Sequence, residues 1–199
     1  MRRIESEREP PQTSEDGSGA HGPGAHGPRA DGAVSEEERL QKALDLGYAY
    51  LNARDRTVSE VRRHLERRGV SEELADAAIQ TLGRQGFLDD GRYVQLFVTD
   101  KRALEQWGSE RIRRGLLSRG IDRQLVQAAL AEAPDPAPGD DGEGEPVSEL
   151  DRALGLLRRR FPDPPRDRRD RNRALGMLLR KGYESELALD ALAAYARGD

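Results

Sequence analysis

Along the first stretch of strong hydrophobic patterning, Leu40, Ala43, Leu44, Gly47, Tyr48 and Leu51 recur three and four residues apart, the spacing of one face of an α-helix. The preceding Ser35-Glu36-Glu37-Glu38 has the form of a capping box, so a first helix is predicted from there to about Arg54. Thr57-Val58-Ser59-Glu60 is a second box, opening a short helix that ends at Arg68-Gly69, and a third helix is predicted from about Glu72 to Gly83 or Arg84. The plan then recurs: Asp90 to about Glu105, a break at Trp107-Gly108, Ser109 to Arg119, and Arg123 to Ala131. A last group opens at Ser148, breaks at Phe161-Pro162 and Pro164-Pro165, resumes near Asp167, turns at Gly182 and ends near Tyr195. Isoleucine and valine never alternate with polar residues over a useful length, so strands are not expected.

One motif is written three times, as Leu65-Glu66-Arg67-Arg68-Gly69-Val70, Leu116-Leu117-Ser118-Arg119-Gly120-Ile121 and Leu178-Leu179-Arg180-Lys181-Gly182-Tyr183. Aligned on the glycines, Val61, Ile112 and Ala174 coincide, as do Leu74, Leu125 and Leu187, then Ala78, Ala129 and Ala191. Each glycine reads as the left-handed residue ending a helix, with basic residues before it favoured by the helix dipole. Ser71 and Asp122 supply N-cap oxygens for the following helices, and Glu184 or Ser185 serves the third copy less well. Asp90 is expected to cap the helix that carries Tyr93 and Phe97, with Asp89 favourable at the same positive end. The fold class is therefore all-α, a tandem array of three three-helix repeats forming a curved solenoid, with repeats over 35–88, 89–132 and 148–197.

Residues 1–34, with Pro10-Pro11 and a duplicated Ala-His-Gly-Pro at 20–23 and 25–28, carry few apolar side chains and are expected to form a disordered arm. Residues 133–147, with four prolines, three glycines and only acids for charge, read as a flexible linker that lengthens the spacing from 51 residues between Gly69 and Gly120 to 62 between Gly120 and Gly182. The chain has no cysteine, no apolar run suited to a membrane span or signal peptide, and thirty Arg to three Lys. A cytoplasmic protein without disulfides is expected.

The net charge of -4 hides a segregation. Residues 1–37 carry -4 and 131–149 carry -7, whereas 38–130 carry +3 and 150–199 carry +4. Basic repeats joined by acidic tethers suit a scaffold that faces a polyanion. No catalytic, cofactor or metal constellation is legible. His21 and His26 lie in a Gly/Pro coil without fixed geometry, His64 has no second histidine or cysteine near it, and Asp89-Asp90 reads as a helix cap rather than an acid pair. With Ile112 and Leu116 inward, Arg111 and Arg114 fall on the opposite side and Arg113 on the flank. With Val61 and Leu65 inward, Arg63 and Arg67 take the outer side and Arg62 flanks. Stacked repeats would then present a basic stripe of Arg62, Arg63, Arg67, Arg111, Arg113 and Arg114, joined by Lys101 and Arg102, to a phosphate backbone or an acidic groove. The competing reading is an ordinary solvated face of Arg-rich helices. Trp107, Tyr48 and Tyr93 are candidates to stack on bases, against a role in the core.

Gly86-Phe87-Leu88-Asp89-Asp90 with Tyr93, followed by Gly108-Ser109-Glu110-Arg111-Ile112, Leu116 and Arg119-Gly120-Ile121, resembles the RecX family of recombination regulators. Arg56-Thr57, Glu60-Val61, Leu65 and Arg68-Gly69 extend the likeness to the first repeat; the similarity covers about Leu40 to Leu130 well and Leu150 to Tyr195 more loosely. Trp107-Gly108-Ser109 departs from the glycine-proline pair the family often has there. The resemblance implies a non-enzymatic, monomeric modulator that binds the RecA filament on single-stranded DNA and restrains its growth, ATPase and strand exchange. The alternative is a helical protein that binds DNA directly without sequence preference.

Overall fold

The computed structural model describes residues 35–132 and 147–198; the expected arm and nearly all of the expected linker lie outside the described residues. Those described form nine helices and no strand. They are α1 (Glu36–Leu51), α2 (Val58–Arg67), α3 (Glu72–Arg84), α4 (Asp90–Ala103), α5 (Ser109–Leu117), α6 (Arg123–Glu132), α7 (Glu149–Arg160), α8 (Arg168–Lys181) and α9 (Ser185–Arg197). The capping boxes at Ser35 and Thr57 are both formed, and Ser148 with Asp151 forms a third. Glu184 occupies the α9 N-cap without a side-chain bond, as its length leads one to expect. α1 stops at Leu51, three residues before the expected Arg54, because Asn52, Ala53 and Arg54 are exposed and have no core to pack against.

Each triplet closes around its own core. Val61, Leu65, Ala78 and Leu82 are fully buried among α1, α2 and α3. Val94, Val98, Ile112 and Leu116 are fully buried among α4, α5 and α6. Leu157, Ala174, Leu178, Ala188 and Ala191 are fully buried among α7, α8 and α9, with Tyr183 and Tyr195 at the margin. The Tyr195 hydroxyl donates to the Phe161 carbonyl, which ties the end of α7 to α9. The aligned leucines of the repeat motif are thus the centres of three cores, each worth roughly 1.5–3 kcal/mol for its burial alone.

The middle helices meet end to end. At the first seam the Thr57 hydroxyl donates to the Arg119 carbonyl at 2.8 Å, seating the start of α2 on the glycine turn that ends α5. At the second, the amides of Gly108 and Glu110 donate to the carbonyls of Lys181 and Gly182 at 2.9 and 3.1 Å, seating the start of α5 on the turn that ends α8. At the second seam free carbonyls at one helix end satisfy free amides at the next, and at both seams opposite dipole ends meet. The approach leaves no room for side chains. A Cβ on Gly120 would lie 2.2 Å from Ser59 Oγ, and one on Gly182 would lie 2.2 Å from Arg111 Cβ.

Asp90 corrects the expected cap. Asp89 caps α4, accepting from the Arg92 amide at 2.9 Å, while Asp90 reaches across the seam to accept from the Val58 amide, also at 2.9 Å. Glu149 repeats the device on Ser109, accepting from its amide at 2.8 Å and its hydroxyl at 2.6 Å. In both seams the first residue of one repeat's first helix caps the middle helix of the repeat before it.

Candidate polyanion-binding surface

The column of α2, α5 and α8 carries the predicted stripe, and the structure divides it by what each cation already touches. Arg62 pairs with Asp76, and Arg113 pairs with Glu110 and lies 3.9 Å from Glu184. Lys101 pairs with Glu105, whose carboxyl is held below its ordinary range by that bond despite some burial acting the other way. Such partly exposed pairs add little stability, but they cancel charge that a polyanion would otherwise meet.

Arg102 is not on the surface. It is 4% exposed, and its guanidinium donates to the Leu130 carbonyl at 3.2 Å. The reason is periodicity: it continues the buried Val94 and Val98 face of α4 at four-residue spacing. It therefore braces α4 against α6 and leaves the candidate contact set.

Arg63, Arg67 and Arg114 remain exposed. Arg63 and Arg114 rest on the carbonyls of Ser59 and Glu110, one helical turn before each. Arg111 lies 4.2 Å over the Trp107 ring and donates to the Arg180 carbonyl at 3.0 Å. Lys101 lies 4.9 Å from the same ring. Trp107, Arg111, Arg114, Gly115 and Arg180 line a shallow groove of about 590 Å³ at the seam of the second and third repeats.

The rings expected to stack on bases are engaged within the protein. Trp107 meets Phe97 edge-on at 6.3 Å beneath two cations, and Tyr93 stacks on Phe97 at 6.1 Å. Tyr48 meets Phe87 edge-on and donates its hydroxyl to Gln85 at 2.5 Å. His64 stacks on Tyr50 at 4.0 Å, with Arg56 4.2 Å from the same ring. Burial, then the charges of Arg68, Arg67 and Arg56, holds the imidazole below its ordinary pKa. Burial is also the leading cause of the raised Asp90 pKa, opposed by the Val58 hydrogen bond. Among the described residues no group of three or more His, Cys, Asp or Glu converges to hold a metal.

The sequence offers Arg173, Arg180 and Lys181 of the third repeat as the alternative contact region, and the cations without partners there reach beyond Arg173. Residues 158–173 hold eight arginines against three aspartates. The guanidinium groups of Arg159, Arg160, Arg166, Arg168, Arg169, Arg171 and Arg173 have no hydrogen bond or ion pair with a described residue, and all are exposed. Their density along the chain was the available signal. It was muted because the inter-proline segment and the lengthened α8 obscure the repeat register.

Comparison with known proteins matches three family models in order, described as the first, second and third three-helix domains of RecX, over residues 43–82, 89–130 and 148–192. A regulatory protein RecX of Trichlorobacter lovleyi is 35% identical over 140 residues, covering 69% of this chain and 84% of its own length. Another, from Mycobacterium avium, is 30% identical over 165 residues, covering 81% and 89%. The crystal structure of RecX from Lactobacillus salivarius superposes with a TM-score of 0.65 at 19% identity, over 82% of this chain and 99% of that one, a likeness of fold.

Proposed function

The chain belongs to the RecX family of regulatory proteins, and from that premise we propose that it binds the RecA recombinase filament on single-stranded DNA and restrains its ATPase and strand exchange. The observation that carries this reading is the pair of seams. They hold three similar units in one column, so contacts that are weak singly act together against a filament whose subunits also repeat. The charge segregation between repeats and acidic segments supports a negatively charged partner. A monomer in the cytoplasm belongs to the same reading, and no described helix is long and apolar enough to cross a membrane.

Adding the purified protein to its cognate RecA on single-stranded DNA, while following ATP hydrolysis and strand exchange, tests the proposal. Inhibition at or below stoichiometry is expected; unchanged rates at stoichiometric excess rule it out. The exposed third-repeat arginines favour direct DNA contact as a second reading, with or without the recombinase.

A further inference from the structure

We propose that the third repeat carries its own binding site for single-stranded nucleic acid, in the cleft between the start of α8 and the middle of α9. The cleft has a volume of about 410 Å³. Arg166, Arg168, Arg171 and Asn172 form a polar rim, and Leu175, Leu189 and Leu192 lie beneath it. Leu189 is 49% exposed, so part of this apolar lining is open to a ligand.

The two halves of the cleft ask for different things. Among the described residues no acid pairs with the rim arginines, so each guanidinium offers its planar fork to phosphate oxygens. Asp167 lines the same cleft and lowers its positive charge, but it forms no ion pair with these guanidinium groups; its carboxylate accepts from the Asp170 amide at 2.8 Å as the α8 cap. The leucine floor offers an apolar surface to a flat ring. A ligand that satisfies both carries closely spaced phosphates and an accessible planar base. A duplex buries its bases in the stack and presents only phosphate, whereas a single strand presents both. An acidic protein surface meets the rim but leaves the floor without a partner.

Arg159 and Arg160 at the end of α7, and Arg169 and Arg173 on α8, are further exposed cations of the third repeat. The site deepens the proposed filament-binding role by naming where the single strand is touched. It needs no recombinase, so the two ideas fail separately.

The experiment is a titration of the full-length protein with fluorescent oligodeoxythymidylate across a salt series, without recombinase. Wild type is expected to bind with a log-log salt slope reporting several phosphates, and to prefer the single strand to a duplex of equal length. The pair Arg168→Glu and Arg171→Glu should weaken binding at least about tenfold and flatten the slope by about 1.4, two phosphate contacts at the single-strand value. Their melting temperature should stay close to wild type, both side chains being exposed. Leu189→Ser should weaken the single strand severalfold and leave duplex binding unchanged. Unaltered affinity in the double variant, equal affinity for duplex, or equal affinity for a polyglutamate peptide of the same charge would each overturn the proposal. Loss of oligonucleotide binding with no effect on the recombinase in either protein would instead break the filament reading and leave this site standing.

Discussion

The middle helices of the first two repeats and that of the third descend from one pattern but are finished differently. α2 has 10 residues and α5 has 9, and each begins at a seam, where its first amides meet the carbonyls or carboxylates of the repeat that follows. α8 has 14 residues, and its first amides meet no other repeat among the described residues. Counted back from the glycine turn, Asp170 holds the place of Thr57 and Gly108, yet it lies inside a helix that starts earlier and is capped by Asp167. The cations follow the same division. Arg62 and Arg113 are paired with acids, whereas seven third-repeat arginines have no hydrogen bond or ion pair with a described residue. A middle helix thus serves as a joint where its start is short and small, and carries a charged surface where that start is extended.

The largest effect that can break this comparison is at the cores. Leu65, Leu116 and Leu178 are equivalent and fully buried, so each change to Ala should cost roughly 2–5 kcal/mol. Equilibrium denaturation checks the coupling between repeats as well. If the seams make one cooperative unit, all three variants lower a single transition; a separate early transition in Leu178→Ala alone would show the third repeat to be energetically detached.

The seams themselves come next. Gly120 and Gly69 share a left-handed backbone, at φ 79° and 78°, but only Gly120 has a neighbour within reach of a Cβ. Gly69→Ala should therefore cost about 1–2 kcal/mol of backbone strain, and Gly120→Ala about 1–3 kcal/mol more from overpacking against Ser59. Gly108→Ala isolates the second seam, because its φ of -76° suits any residue while its Cβ would lie 2.4 Å from the Gly182 carbonyl oxygen. Equal destabilisation at Gly69 and Gly120, measured by denaturant midpoint, would show that the seam contributes nothing.

The helices were readable before the structure because caps and periodicity are local. Ser35, Thr57 and Ser148 announce helix starts within four residues, and the glycine motif announces three ends. The cross-seam caps were not readable. An acid at the first position of α4 is already explained by its own helix dipole, so nothing in the chain suggests that Asp90 serves Val58 instead. Arg102 was readable in principle, since Val94, Val98 and Arg102 share one face of α4, but a charged residue is expected outside. The surroundings of Trp107 were not readable either, because three-dimensional proximity brings Arg111 and Lys101 onto its ring from two different helices.

A smaller effect separates the seam caps from ordinary caps. Glu149→Ala removes the acceptor from both the amide and the hydroxyl of Ser109 and should cost about 0.5–2 kcal/mol. Because Glu149 begins α7 while Ser109 begins α5, the loss should appear as faster amide exchange at the start of α5, across the seam from the substitution. Faster exchange confined to α7 would mean that the residue acts only within its own helix.

The smallest effect distinguishes the first repeat by pH. His64 stands five residues before Gly69, where the other two repeats have Gly115 and Met177, so only the first repeat has a titrating group at this place. Burial and the nearby Arg68, Arg67 and Arg56 depress its folded pKa below the ordinary 6.5. The folded state then binds fewer protons than the unfolded state between those two values, so stability rises with pH across that window. The contribution is complete above about 6.5 and is lost as pH falls through the depressed folded value. His64→Phe keeps a ring against Tyr50 without a titrating nitrogen, and should flatten the stability profile over that interval while leaving its upper plateau nearly unchanged. Chemical denaturation at a series of pH values measures it, with amide exchange in α2 as the local readout. An unchanged slope in His64→Phe would assign the pH dependence to another group.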